Sequence, residues 1–500
     1  MIFRPRAEDV KIIGFYLGKI IIGLALTMIG PIVIALFAQE INPAQDFSIA
    51  LLISLLIGIF FTKLCKTEQD LNWMQGMIVV SLSWLGATLL GAIPLYLSGH
   101  FKSFLDASFE AGSAITTTGL VLVQDLDHMS YAHNFWRHFL NFIGGQGMVI
   151  IALSFFIRGT SGALKMYVGE GREEKILPNV VNTSRFIWLI SIVYLILGTL
   201  ALGVVGIIDG LKPIDSFFHG VCIFMAGFDT AGFAPKSQNI LYYHSFIYEI
   251  IIIIIMIFGA FNFNFHFHIW TGNRKEIWKN IESRIFFISV ILSFFVIAVG
   301  LNKLGVYQGV LPFFRKGFFQ LISGHTTTGY VTIYAKQFIL EWGNLALLGL
   351  ICAMGFGGGS CSTAGGIKML RIGIIVKALA QDIKRIMLPE KAIVIQKFHH
   401  IKEVFLNDKL ARSALMIAMA YLVLYSLGAI IGMWCGYPFL ESLFESTSAA
   451  ANVGISCGVT DAGMPTILKI TYMLQMWAGR LEFMSVFALV GFVVAMVKGK

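Results

Sequence analysis

Charge is what this 500-residue chain has least of: Asp, Glu, Lys and Arg together make up 13% of it. So small a supply does not suit a water-soluble domain, whose surface needs far more. The six cysteines, Cys65, Cys222, Cys352, Cys361, Cys435 and Cys457, stand singly with no CxxC pair. That excludes a zinc ribbon or a thioredoxin-type redox motif and leaves small apolar residues or unpaired thiols. No GxxxxGK[ST] run and no GxGxxG fingerprint on a strand–helix unit is present, so a phosphate-cradling loop is missing as well. Lys and Arg exceed Asp and Glu by 37 to 28, yet they form no aromatic-interleaved stripe, and nucleic acid is not an expected partner. A membrane enzyme would need a nucleophile with its base, or a metal cluster, in or near the apolar stretches, and neither is found.

Hydrocarbon is what remains. Hydrophobic residues make up 57% of the chain and mean hydropathy is +0.78, which predicts an all-α integral membrane protein in contact with membrane lipid. Spanning segments are expected at 12–38, 47–63, 73–98, 134–157, 186–208, 240–268, 285–306, 341–378, 413–435 and 466–497. The first is too long for a signal-peptide core, and no small-residue cleavage site precedes Gly30-Pro31, so it reads as a retained helix. An even number of spans puts both termini on one side. Basic residues cluster at 4–11, 63–66, 158–185, 274–284, 384–412 and 498–500, whereas the opposite connections hold Lys102, Arg137, Lys212, Lys236, Lys303, Arg315, Lys316, Lys336 and Lys469. This asymmetry predicts cytoplasmic termini.

Within the apolar background stands a polar phrase, Thr116-Thr117-Thr118-Gly119, ten residues after Phe109. The interval returns from Phe319 to Gly329, where Thr326-Thr327-Thr328-Gly329 repeats the phrase, and from Phe444 to Gly454, where Ala451-Asn452-Val453-Gly454 stands in for it. Counting ten from Phe217 selects Phe224-Met225-Ala226-Gly227 for the remaining copy, in preference to Asp229-Thr230-Ala231-Gly232 five residues later. Each copy lies between spanning segments, after a semi-apolar stretch of about a dozen residues, too short to cross a bilayer that needs about 20 helical residues. Such segments re-enter and return, and irregular backbone at that depth needs protein or water around it. Four of them around one axis make a pore. Rings of backbone carbonyls replace the water of a monovalent cation without adding fixed charge, glycine permits the angles that aim them, and helix C-termini turn their negative pole toward the ion. A lone copy of TTTG would be an ordinary turn.

The repeat plan and motifs resemble the TrkH/KtrB/HKT superfamily of potassium uptake proteins, and the TrkH branch in particular. Phe261-Asn262-Phe263-Asn264-Phe265-His266-Phe267 is similar to the stretch ending the second helix of that family's second repeat, and Trp477-Ala478-Gly479-Arg480-Leu481-Glu482 to the signature of its last helix. The resemblance implies a helix pair at 1–70 and four parallel helix, pore loop, helix repeats at 71–160, 161–275, 276–400 (with a broken second helix) and 401–500. It implies potassium at a filter of Thr116, Thr117, Thr118, Gly119, Met225, Ala226, Gly227, Thr326, Thr327, Thr328, Gly329, Asn452, Val453 and Gly454, with no organic cofactor. Gly119 favours potassium, since serine there accompanies sodium permeation in the family. A homodimer and a cytosolic nucleotide-binding subunit similar to TrkA are implied as partners. The plasma membrane, a bacterial inner membrane by the same resemblance, is the expected location.

Other features carry two readings each. Arg480 lies in an apolar helix, where a central charge faces protein or water. By resemblance it is a barrier below the filter; the plainer reading is a structural pair with Glu482 or a nearby carboxylate. The stretch 355–366, with Gly357, Gly358, Gly359 and Ser360, breaks the segment 341–378. It resembles the family's intramembrane gating loop, against a small-residue packing surface. His266, His268, His399 and His400 read as interfacial or loop histidines rather than metal ligands, and Phe263, Phe265, Phe267 and Trp270 as an interface belt. The basic connection 377–412 faces either anionic lipid or a regulator. A cation-coupled symporter of similar fold, or a carrier with inverted repeats and broken helices, is the competing class; the latter expects inverted topology and intramembrane carboxylates.

Overall fold

The computed structural model describes residues 6–148, 161–170, 176, 179–389 and 394–498. Its architecture is helical, and the sheet among the described residues is one hairpin, Lys397–His400 paired antiparallel with Lys402–Phe405. Two apolar helices open the chain, Ala7–Phe37 with a step at Met28 and Ile41–Leu64. They pack through small residues: a Cβ on Gly18 would stand 2.8 Å from the Gly58 carbonyl, the close approach by which membrane helices associate. The large side chains point the other way. Leu56 and Phe60 are each 60% exposed, and the most apolar window of Ile41–Leu64 is only 22% buried inside the protein. That inversion suits a surface wetted by lipid.

Among the described residues, six helices are long and apolar enough to cross a membrane, or up to eight if each bent pair is one span. Two of the ten expected segments, 240–268 and 466–497, are bent rather than continuous. Phe246–Ala260 and Phe263–Trp270 meet at 104°, and Thr466–Arg480 and Met484–Val497 at 114°, where continuous spans were expected. Asn262 causes the first break by starting a new helix, its Oδ1 accepting the Asn264 amide at 2.9 Å. At the second, Glu482 and Phe483 adopt φ of 51° and 70°, which no helix accommodates. Tyr131–Gln146 stops at Gly147, φ 96°, and the remainder of the expected 134–157 span, from 149, lies outside the described residues. Gly343–Gly355 gives way to the glycine-rich stretch, after which Met369–Met387 resumes.

Between the long helices sit four short ones: Phe104–Ile115, Pro213–Phe228, Phe319–His325 and Phe439–Ala450. Three basic residues counted with the opposite connections lie in helices instead and are ion-paired. Arg137, fully buried, meets Glu110 at 2.7 Å; Lys469 meets Asp106 at 2.6 Å; Arg315 meets Glu249 at 2.7 Å. Phe263, Phe265 and His266 are buried rather than interfacial, because the helix they start folds back under its predecessor, with His266 Nε2 3.0 Å from the Phe258 carbonyl oxygen.

Candidate functional site

Each of the four short helices ends in the same way. Past Ile115, the Thr117 amide donates to Ala114 O at 2.9 Å and the Thr118 amide to Ser113 O at 2.8 Å. Thr230 and Ala231 repeat this pair on Gly227 and Ala226, Thr327 and Thr328 on Gly324 and Ser323, and Asn452 and Val453 on Ala449 and Ser448. This is the Schellman closure, which requires a left-handed residue in the turn. Here the residue is not glycine: Thr117, Thr230, Thr327 and Asn452 have φ of 53°, 51°, 54° and 54°. Two positions later comes a glycine, Gly119, Gly232, Gly329 or Gly454, with φ between 67° and 94°.

These glycines pack head to tail. A Cβ on Gly119 would lie 2.1 Å from the Ala231 carbonyl oxygen, one on Gly232 2.3 Å from Thr328 O, one on Gly329 2.0 Å from Val453 O, and one on Gly454 2.0 Å from Thr118 O. The contacts run from the first loop to the second, third and fourth and back to the first. A closed ring of four peptide segments results, with four helix C-termini directed at it and their negative dipole ends facing inward. A cavity of about 220 Å³ opens onto Gly119, Gly329 and Gly454 from one side, lined also by Lys236, Gln124 and Ser456.

Of the residues expected here, Thr116 to Gly119, Thr326 to Gly329 and Asn452 to Gly454 come together. Met225, Ala226 and Gly227 do not. They occupy the last turn of Pro213–Phe228, and a Cβ on Gly227 would face Ile255 and Tyr330; Asp229-Thr230-Ala231-Gly232 takes the place. Counting ten back from Gly232 reaches Cys222, not an aromatic residue, so the Phe-to-Gly interval misleads in this copy. The helix end is the sound marker, since each ring glycine follows the last helical residue by four.

The threonines divide by role. Thr116 Oγ1 bonds Gly112 O at 2.7 Å and Thr118 Oγ1 at 2.8 Å, and Thr326 bonds Ile322 O and Thr328 at the same distances. Those hydroxyls brace the loops. The left-handed row lies differently: Thr327 Oγ1 accepts the Gly365 amide at 2.8 Å and Asn452 Nδ2 reaches Thr118 Oγ1 at 2.9 Å. Thr117 Oγ1 is fully buried and has no partner among the described residues, an oxygen with unused lone pairs beside the ring.

Beneath the ring lies the stretch 356–368. Thr363 Oγ1 shares its one proton between the carbonyls of Phe228 (2.9 Å) and Gly259 (2.8 Å), while the Gly359 amide donates to Ala260 O (2.8 Å) and the Ser360 amide to Glu282 Oε1 (2.6 Å). Gly358 has Ala260 O so near that a Cβ would stand 2.5 Å from it. Arg480 completes the layer, its Nη1 on Thr363 O at 2.5 Å and its Nη2 on Gly144 O at 2.7 Å. Glu482 is bonded by Arg371 and lies 3.9 Å from Lys368. Stretch and arginine together thus tie all four quarters of the chain at one level, and beside Gly365, Gly479 and Arg480 lies a small cavity of about 20 Å³, enough to hold a water molecule.

A family model described as TrkH, cation transport protein, matches residues 43–499. The chain belongs to the TrkH family. It is a multi-pass membrane transporter and not an enzyme. An uncharacterized cation transporter of Methanocaldococcus jannaschii is 31% identical over 489 residues, 98% of this chain and 97% of that one. The Trk system potassium uptake protein TrkG of Escherichia coli K12 is 27% identical over 494 residues, covering 96% and 98%. The crystal structure of the potassium transporter TrkH from Vibrio parahaemolyticus shares the fold at TM-score 0.83 and 23% identity, over 96% of this chain and 98% of that one.

Two further residues of this family member escaped the sequence reading. Glu282, at the start of Ile281–Leu304, anchors the Ser360 amide and accepts Asn262 Nδ2 at 3.2 Å; its partner Ser360 lies 78 positions along the chain, which no local spacing marks. Its neighbour Glu276 holds the hairpin, accepting the Ile401 amide at 3.1 Å and lying 3.0 Å from His399 Nε2. His399 and His400 therefore sit in strand structure docked near the glycine-rich stretch. Burial alone would raise the Glu276 carboxyl, but hydrogen bonds from His399, Asn280 and the Ile401 amide outweigh it and hold it below its ordinary value.

Proposed function

We propose that this chain carries potassium ions inward through the ring of Gly119, Gly232, Gly329 and Gly454. Closure of the ring is the observation that carries the reading: four loops from one chain surround an axis with carbonyl oxygens, as a dehydrated monovalent cation requires, and the one carboxylate in these loops, the buried Asp229, accepts the Gln146 amide at 2.8 Å. The unpartnered Thr117 hydroxyl offers a further oxygen just below. The relatives named as potassium uptake proteins support the choice of ion. No step of bond-making chemistry is involved; the ion exchanges water for carbonyls and back again.

In this reading the stretch 356–368, including Gly357, Gly358, Gly359 and Ser360, with Arg480 across it, is the gate, and the conformation described is closed. Opening must break the Thr363 and Arg480 hydrogen bonds together, because both hold the same backbone. Force for that comes from the side of the termini, which we assign to the cytoplasm. A homodimer there, docked on a nucleotide-binding subunit of the TrkA type, supplies nucleotide control to a chain whose sequence carries no GxGxxG fingerprint.

The test is growth of a potassium-uptake-deficient bacterium at low potassium with the chain and its cognate regulator supplied. Rescue by the parent is expected, with weaker rescue and sodium sensitivity for Gly119→Ser, whose Cβ meets the Ala231 carbonyl. A well-expressed parent that gives no rescue would refute the reading.

A further inference from the structure

Nine residues before the ring glycines stand Glu110, Ile223, Gln320 and Glu445. The three polar ones are fully buried. Each reaches forward to the segment that leaves its ring glycine. Glu445 Oε1 accepts from Ser456 Oγ (2.5 Å) and from the amides of Cys457 (2.8 Å) and Val459 (3.2 Å), while its Oε2 accepts from Thr460 Oγ1 (2.7 Å). Glu110 Oε2 accepts the Leu122 amide at 2.8 Å, its other oxygen being taken by Arg137. Gln320 Nε2 donates to Thr332 Oγ1 at 3.0 Å.

In the second copy the position is apolar, and the duty passes elsewhere. Asn239 Nδ2 donates to the Gly232 carbonyl at 3.2 Å and its Oδ1 accepts the Val331 amide at 3.2 Å. All of these bonds, except that to the Gly232 carbonyl itself, fall two to six residues past a ring glycine. A peptide unit rotates readily about a glycine. Fixing the backbone just beyond it therefore fixes the direction of the carbonyls in the ring.

We infer that Glu110, Gln320 and Glu445, with Asn239 in the second copy, are positioning residues that set the aim of the carbonyl ring and hence its discrimination between cations. The inference rests on the ring being the ion path. The fourth copy, clamped by four hydrogen bonds through one carboxylate, bears the largest share, since hydrogen bonds to a charged acceptor are the strong ones.

Purified protein in liposomes, assayed for potassium uptake against sodium competition, tests this. Glu445→Leu is expected to lower potassium-over-sodium selectivity about tenfold, the loss of one charge-assisted hydrogen bond or more. Glu445→Gln should largely restore it, because an amide can donate to Thr460 Oγ1 as Gln320 donates to Thr332 while its oxygen still accepts. Should Glu445→Leu not fold, Ser456→Ala with Thr460→Val removes two of the four bonds from the outer side. That variant should melt near the parent and lose selectivity severalfold. Gly454→Ala is run alongside. Parental selectivity in Gly454→Ala would overturn the ring itself; loss there with parental selectivity in the folded Ser456/Thr460 variant would overturn the positioning role alone.

Discussion

Alanine at Gly232 and, separately, at Gly227 distinguishes ring from helix within a span of five residues. Gly232 has φ +67°, and its new Cβ would lie 2.3 Å from the Thr328 carbonyl oxygen. An ordinary contact begins at 3.4 Å, so that oxygen must retreat by about 1.1 Å, the difference of the two. The left-handed conformation adds roughly 1–2 kcal/mol for a residue with a side chain. Strain of that size alone shifts the native ring population about 5- to 30-fold, and the displaced carbonyl is one the ion needs. Potassium uptake by Gly232→Ala should fall at least tenfold. Gly227 is helical, and its Cβ would stand 3.1 Å from Ile255 Cγ2 and 3.3 Å from Tyr330 Cε2, side chains able to yield a few tenths of an ångström. Alanine gains about 0.5–1 kcal/mol over glycine in a helix, which offsets the crowding. Uptake and melting temperature of Gly227→Ala should stay near the parent. The reverse pattern, with Gly227→Ala inactive and Gly232→Ala active at equal expression, would sink the assignment of the second loop.

Arg480→Ala should raise ion flux through the purified protein severalfold, since it frees the carbonyls of Thr363 and Gly144 from a common clamp; unchanged flux in a folded variant would leave the arginine a structural role. Thr363→Val removes the single hydroxyl proton shared between the carbonyls of Phe228 and Gly259, a contact worth about 0.5–1.5 kcal/mol, and should raise flux in the same assay without abolishing selectivity. Glu276 has its carboxyl held down, so its contribution to docking the hairpin is complete above its unfolded value and is lost as pH falls through the lower folded one. Exchange protection of the Ile401 amide, which donates to Glu276, should therefore persist at pH 5 and vanish at more acid pH; protection unchanged in Glu276→Ala at neutral pH would show that another contact holds the hairpin.

Membrane class, helical content and three of the four loops were legible in the chain because each rests on local information. An apolar run of membrane length has no soluble alternative, and TTTG repeats itself. The second loop was not legible in the same way. Its helix runs one turn past the point where the aromatic interval would stop it, and its left-handed Thr230 follows Asp229 rather than threonine. What marks it is a partner in space, the Thr328 carbonyl, about which the local sequence says nothing. The helix breaks at Asn262 and at Glu482-Phe483 were hidden for a related reason. Hydropathy averages across them, whereas the turn is stabilised by distant groups: Cys361 O accepts the Phe263 amide, and Arg371 bonds Glu482. Arg480 and Glu482 illustrate the limit of spacing. They are neighbours in sequence, yet Arg480 reaches the carbonyls of Thr363 and Gly144 while Glu482 takes Arg371, because the chain reverses between them.

The central claim is that a cation sits on the axis of the four glycine loops, and anomalous diffraction from crystals grown with rubidium or thallium in place of potassium tests it most directly. A peak encircled by the carbonyls of Thr118, Ala231, Thr328 and Val453, displaced by added potassium and far weaker in sodium, is the expected result. Ordered crystals with no peak there and a potassium-displaceable one elsewhere in the protein would contradict it.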